Sequence, residues 1–162
     1  MARIRNYPSE ARVGLKEIVA RDANAQSLGQ GVDFGANFLL GGQIMGEGPR
    51  LFHIYPQGNF IEATPDTPFF QIGEHKYGKP ILDRVVRRTT SISDAQKAVL
   101  LSMDSTLRSN LSVGMPLDLC VIEKDACRVS LRRRIEAGDP SFRNMSEGWS
   151  KALRDGFTQI TL

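Results

Sequence analysis

The stretch DSTLRSNLSVG, from Asp104 to Gly114, is the one polar concentration in the chain that could do chemistry. Asp104, Ser105, Thr106, Arg108, Ser109, Asn110 and Ser112 put a carboxylate, hydroxyls, a guanidinium and an amide at one junction between a helix and a strand. Hydroxyls beside a carboxylate are raw material for nucleophilic and acid–base catalysis. By composition alone, however, the same residues read as a helix C-terminus with its capping loop, and a functional corner is the minority reading.

Little else carries a chemical signature. The glycines of GGQIMGEGP match neither G-x-G-x-x-G nor a P-loop, and no Lys-Ser/Thr closes them. No H-E-x-x-H, G-x-S-x-G or spaced Cys/His cluster is present. Cys120 and Cys127 flank a candidate turn that would set Cys127 opposite Ile122, so they read as buried or half-buried free thiols rather than a disulfide. His53 and His75 are far from both, and His53 has no partner nearby in sequence, so it reads as a core or interface histidine. No cofactor and no metal is expected.

The elements that would position the polar corner follow from periodicity. Ser9 to Ala25 reads as a helix capped by Ser9, with Ala11, Val13, Leu15, Ile18 and Val19 as its stripe. A meander of strands follows: one from Phe38, with Gly41-Gly42 marking a bulge or a close approach, then Leu51 to Tyr55 and Phe60 to Ala63. The middle strand is apolar on both faces and should be covered on both. Phe69 to Ile72 reads as a fourth strand ending at Gly73, where the chain swings into a helix over Glu74 to Val86 with Pro80 near its start. A long helix over residues 89–110 has Ser91 or Ser93 as cap and Ala95, Val99, Leu100, Met103 and Leu107 as stripe. A hairpin comes next, with Leu117, Leu119 and Val121 outbound, EKDA turning, and Cys127, Val129 and Leu131 returning. The closing helix has Trp149, Leu153 and Phe157 as candidate anchors. Strands clustered in hairpins with helices between them indicate an α+β fold, in a single domain over residues 1–162.

Composition narrows the class. With 162 residues, 41% hydrophobic and 24% charged, the chain has the profile of a globular domain. No apolar run is long enough to span a bilayer, and the basic N-terminus has no apolar core behind it, so neither a membrane span nor a secretory signal is expected. A cytoplasmic location is the expectation. The net charge of +3 owes much to Arg87-Arg88 and Arg132 to Arg134; without interleaved aromatics or a reading module these are expected to be solvated faces at element ends, not a nucleic-acid site.

Three stretches, FLLGGQI, PRLFHIYPQGNFIEATPDTPFFQIGEHKYGKPILDR and DSTLRSNLSVGMPLDL, closely resemble the bacterial proteasome-type peptidases of the Anbu (ancestral beta-subunit) family, among the N-terminal-nucleophile hydrolases. The similarity runs from roughly Val13 to Phe157. It implies a four-layer αββα sandwich and a homo-oligomer. In full-length relatives it implies proteolysis of a peptide or unfolded-protein substrate by an N-terminal threonine. Such a threonine attacks through its hydroxyl, with its own α-amino group, of pKa about 8, as general base. An aspartate and a lysine in the family's first two strands tune that base.

The chain begins MAR, and removal of Met1 would expose Ala2, which has no nucleophilic atom. The resemblance starts at what is the family's second helix. The expectation is therefore a chain that lacks the family's N-terminal third, including the nucleophile, and that is inactive as it stands. The alternative is a non-catalytic structural or assembly subunit of a proteasome-like oligomer.

Supporting residues carry over in part. Against the motif TYRDxYSGG, Thr106, Arg108, Ser112 and Gly114 match, whereas Ser109 stands in place of the aspartate. Gly73 keeps the glycine that ends a strand, and Glu74 replaces the serine after it. The resemblance thus implies support around the active site from Gly73, Glu74, Arg108, Ser109, Ser112 and Gly114, with no catalytic residue in the chain itself.

Overall fold

The structure, a computed structural model, describes residues 36–161. The helix expected over Ser9 to Ala25 lies outside these residues. The chain divides between Ile72 and Gly73 into two compact units.

The described part of the first unit is an antiparallel sheet in the order β1 (Phe38–Gly42), β2 (Arg50–Ile54), β3 (Phe60–Glu62). The expected meander is present. Its register runs unbroken from Phe38 opposite Ile54 to Gly42 opposite Arg50, so the glycine pair makes no bulge. Nor does backbone come close: a Cβ on Gly41 would sit 3.2 Å from the side-chain Leu51 Cδ1 and 3.8 Å from the Arg50 carbonyl oxygen, and one on Gly42 would meet nothing within 4 Å. Phe52 and Ile54 of the central strand are buried and Leu51 and His53 are half-buried, as expected of a strand apolar on both faces. On the Phe52 face, Arg50 makes a two-pronged ion pair with Glu62 at 2.6 and 2.7 Å, its guanidinium stands 4.7 Å from the Phe52 ring centroid, and Phe60 meets Phe52 edge-on. On the opposite face His53 Nε2 bonds Asn37 Oδ1 at 2.9 Å and its ring lies against Tyr55 and Phe70. The half-buried histidine is thus satisfied, as expected.

Residues 69–72 do not form the expected fourth strand. A strand needs a ladder partner, and none of the described strands pairs with this segment.

The second unit contains α1 (Lys79–Val85), α2 (Ile92–Ser109), the antiparallel pair β4 (Leu117–Val121) and β5 (Leu131–Ile135), and α3 (Pro140–Thr158). Helix α1 is shorter than expected. Residues 74–78 are not helical, and Gly78 caps the helix with Pro80 in its first turn, where a missing N–H leaves no bond unmade. Ser91 is the cap of α2, its hydroxyl accepting from the Asp94 amide. At the head of α3, Asp139 accepts from the Phe142 N–H at 2.9 Å and from Arg133 at 2.8 Å. Those two bonds, the backbone one first, hold the Asp139 carboxyl below its ordinary pKa.

The buried face of α2 is not the predicted stripe. Ala98, Ser102 and Thr106, four residues apart, are buried, together with Asp104, whereas Val99 is exposed. The reason is close helix packing: α1 enters with buried Gly78 directly over Ser102, where a Cβ would fall 2.1 Å from Ser102 Oγ and 2.8 Å from its carbonyl oxygen. A face approached so closely takes small side chains, and the hydroxyl of Thr106 satisfies itself by donating to the Ser102 carbonyl at 2.9 Å.

The hairpin register also differs from expectation. Leu117 pairs with Ile135 and Val121 with Leu131, leaving residues 122–130 as the connection. Cys127 is in that connection with φ +48, and Cys120 faces Arg132; both thiols are free and exposed, not buried. The triple arginine is in the body of β5 rather than at an element end, with Arg133 bound to Asp139 and Arg134 near Asp118. In α3 Trp149 is half-buried, but Leu153 and Phe157 are 54% and 78% exposed rather than buried as the expected anchors would be. The one fully buried residue of that helix is Ser146.

Candidate functional site

The polar corner predicted at the end of α2 is built by the helix itself. Asp104 and Arg108, four residues apart, lie on one face of α2, and the guanidinium Nε donates to both carboxylate oxygens at 3.2 and 3.4 Å. Ser146 reaches the same pair from α3: its hydroxyl donates to Asp104 Oδ1 at 2.7 Å and accepts from Arg108 Nη2 at 2.6 Å. Asp104 and Ser146 are 5% and 6% exposed, so the carboxylate is taken out of water only with a cation and a hydroxyl both supplied to it. The Arg108 side chain remains 57% exposed at the edge of this cluster.

Beyond Arg108 the helix stops. Ser109 is its last residue and is exposed; the Asn110 N–H closes the final turn on the Thr106 carbonyl at 2.9 Å. Asn110 Oδ1 then accepts from both the amide and the hydroxyl of Ser112, at 2.8 and 2.7 Å. With its proton committed to Asn110, the Ser112 hydroxyl keeps acceptor capacity for a donor. Gly114 is exposed with open space around it. Composition therefore read the local structure correctly, a helix C-terminus with a capping loop, and that loop presents a hydroxyl.

Gly73 and Glu74 form a second group. Gly73 has φ +75, in the left-handed region that a side chain makes costly, so the swing of the chain expected at this glycine does require it. Its carbonyl is bonded by His75 Nδ1 at 3.0 Å, and Glu74 is exposed. No hydrogen bond among the described residues joins Gly73 or Glu74 to the 108–114 group. A groove of about 480 Å³ along α1 and α2 is lined by none of the six candidate residues. Ser146 is the participant that sequence reasoning missed, since a lone serine on an amphipathic helix carries no chemical signal. Among the described residues, no three His, Cys, Asp or Glu side chains are grouped to hold a metal ion, and no helix is long and apolar enough to cross a membrane.

The profile of the family described as proteasome subunit matches residues 3–122, most of the chain. The chain belongs to the proteasome subunit family. Within this proteasome-like peptidase family it groups with Anbu. The solved structure of Anbu (ancestral beta-subunit) from Yersinia bercovieri is 47% identical and superposes with a TM-score of 0.90, covering 99% of this chain and 65% of that one. The helical assembly of the Anbu complex from Pseudomonas aeruginosa is 43% identical at a TM-score of 0.91, covering 98% of this chain and 65% of that one. The proteasome subunit beta of Haloquadratum walsbyi is 26% identical over 140 residues, 83% of this chain and 54% of that protein. The mixed helix-and-sheet fold is accordingly the Anbu fold. The chain spans less than two thirds of the length of each of these three relatives.

Proposed function

We propose that this chain is the scaffold part of a threonine-type, proteasome-like peptidase subunit that acts on peptide or unfolded-protein substrates in a cytoplasmic homo-oligomer. The observation that carries the reading is the 47% identity to an Anbu structure across 99% of the chain. The helical assembly of the Pseudomonas aeruginosa relative supports the homo-oligomer. In this reading the nucleophilic threonine and the residues tuning its amine come from the third of the family's length that these 162 residues do not span. The turn carrying Ser109, Ser112 and Gly114, with Arg108 behind it, is the support that faces the nucleophile, and Gly73 and Glu74 supply the backbone turn beside it. In this reading the 162 residues by themselves are the scaffold without the nucleophile, and no hydrolysis by them is expected.

A second reading, a non-catalytic assembly subunit, is favoured by Ser109 in place of the motif's aspartate and Glu74 in place of the serine. The test is hydrolysis of fluorogenic peptides by the native protein purified from its source cells, beside the 162-residue chain. The peptidase reading expects activity in the native protein, abolished by acetylation of its N-terminal amine, and none in the 162-residue chain. No activity in either supports the assembly subunit.

A further inference from the structure

We infer that Asp104 and Ser146 are positioning residues for the turn that ends α2. They act through Arg108, the only one of the three that the family motif singles out. The inference rests on the reading of residues 108–114 as nucleophile support.

The geometry runs in one direction. Ser146 Oγ spends both its donor and an acceptor position inside the cluster, giving its proton to Asp104 Oδ1 and receiving Arg108 Nη2. Arg108 is held from two helices, by Nε on Asp104 of its own helix and by Nη2 on Ser146 of α3. A planar guanidinium bound through two different nitrogens cannot swivel, which a single ion pair would allow. Arg108 is the penultimate residue of α2, so fixing it fixes where the helix ends. From that end hang the Asn110 amide on Thr106, the Val113 amide on Asn110 and both Ser112 bonds to Asn110 Oδ1. Ser109, Leu111 and Ser112 of the turn are exposed, and Asn110 and Val113 are half-buried, so these bonds to the helix end carry much of its order. A substitution in α3, dozens of residues away in sequence, should therefore be felt at the Ser112 hydroxyl.

The experiment is amide hydrogen exchange on the 162-residue chain carrying Ser146→Ala, Ser146→Thr or Arg108→Ala. Losing a hydrogen bond to a charged group is expected to speed exchange at Asn110, Ser112 and Val113 by roughly tenfold or more. The Ala95 amide at the other end of α2 and the amides of β2 should keep their wild-type rates. Ser146→Thr, which keeps the hydroxyl, should restore protection of the turn. If Ser146→Ala does not fold, Arg108→Ala reads the same step from an exposed side chain. A merely structural role would speed exchange at Ala95 and in β4–β5 in step with the turn. That result, or unchanged exchange at the turn, overturns the proposal. The readout needs no activity, so a native protein without peptidase activity would sink the functional reading alone.

Discussion

Gly78→Ala sets two known effects against each other at one atom. Gly78 has φ −91 and ψ −31, an ordinary right-handed conformation, so alanine on its own would stabilise by about 0.5–1 kcal/mol through the unfolded chain. The new methyl, however, would be 2.1 Å from Ser102 Oγ, 2.8 Å from Ser102 O and 3.2 Å from its carbonyl carbon. The hydroxyl can rotate away, but the carbonyl belongs to the backbone of α2 and can be relieved only by moving α1 off it. Overpacking of this kind costs about 1–3 kcal/mol, and with no flexible atom to yield at the carbonyl the upper half applies. The net expectation is a loss of about 1–2 kcal/mol. Urea unfolding would show it as a lower midpoint at unchanged slope. Adding Ser102→Ala should recover only part, since the carbonyl contact remains. Gly148→Ala is the control: it lies within α3 with nothing within 4 Å of the new Cβ, and should gain about 0.5–1 kcal/mol. A Gly78→Ala chain as stable as wild type would refute the close α1–α2 packing.

Other consequences can be checked on the same chain. Ser91→Ala removes the cap of α2 and should cost about 1 kcal/mol in the same unfolding assay. Glu62 is held below its ordinary pKa of 4.5, first by its side-chain hydrogen bond from Arg50 and then by that residue's charge, against the opposing effect of burial. The pair's contribution is therefore complete above pH 4.5 and lost as pH falls through the lower folded value, and Glu62→Gln should flatten this acid limb. Because the Glu62 side chain is 40% exposed, the effect should stay below about 1 kcal/mol, and a larger one would contradict the solvated geometry. Cys120 and Cys127 should both react with an aromatic disulfide reagent in the folded chain, and two equivalents of released thiolate would be counted without denaturant. One equivalent or none would show that a thiol is covered.

Where local chemistry decides the structure, the residues declare it. Alternation and turn residues mark the meander around Arg50–Ile54, Ser91 marks the start of α2, and Gly73 marks a left-handed turn. Where packing decides, they do not. The stripe of large apolar residues on α2 gave way to Ala98, Ser102 and Thr106, because only small side chains admit a neighbour as close as Gly78. The hairpin was misplaced because Val129 belongs to a connection whose left-handed Asp125 and Cys127 are not residue types that announce such a turn together. Phe69 to Ile72 has the composition of a strand, but pairing is a property of two segments. In the candidate site, the motif pointed to Arg108 and Ser112, whereas Ser146 joins the cluster only by being brought to Asp104 from another helix.

If these residues are the scaffold of a peptidase, its threonine lies in the remaining third of the family's length. The intact mass and N-terminal residue of the native protein, captured from its source cells, test it most directly. The peptidase reading expects a mass well above the 18.0 kDa of this chain and a threonine at the N-terminus. A mass of 18.0 kDa with Met1 or Ala2 first would contradict it, leaving a subunit whose role is structural.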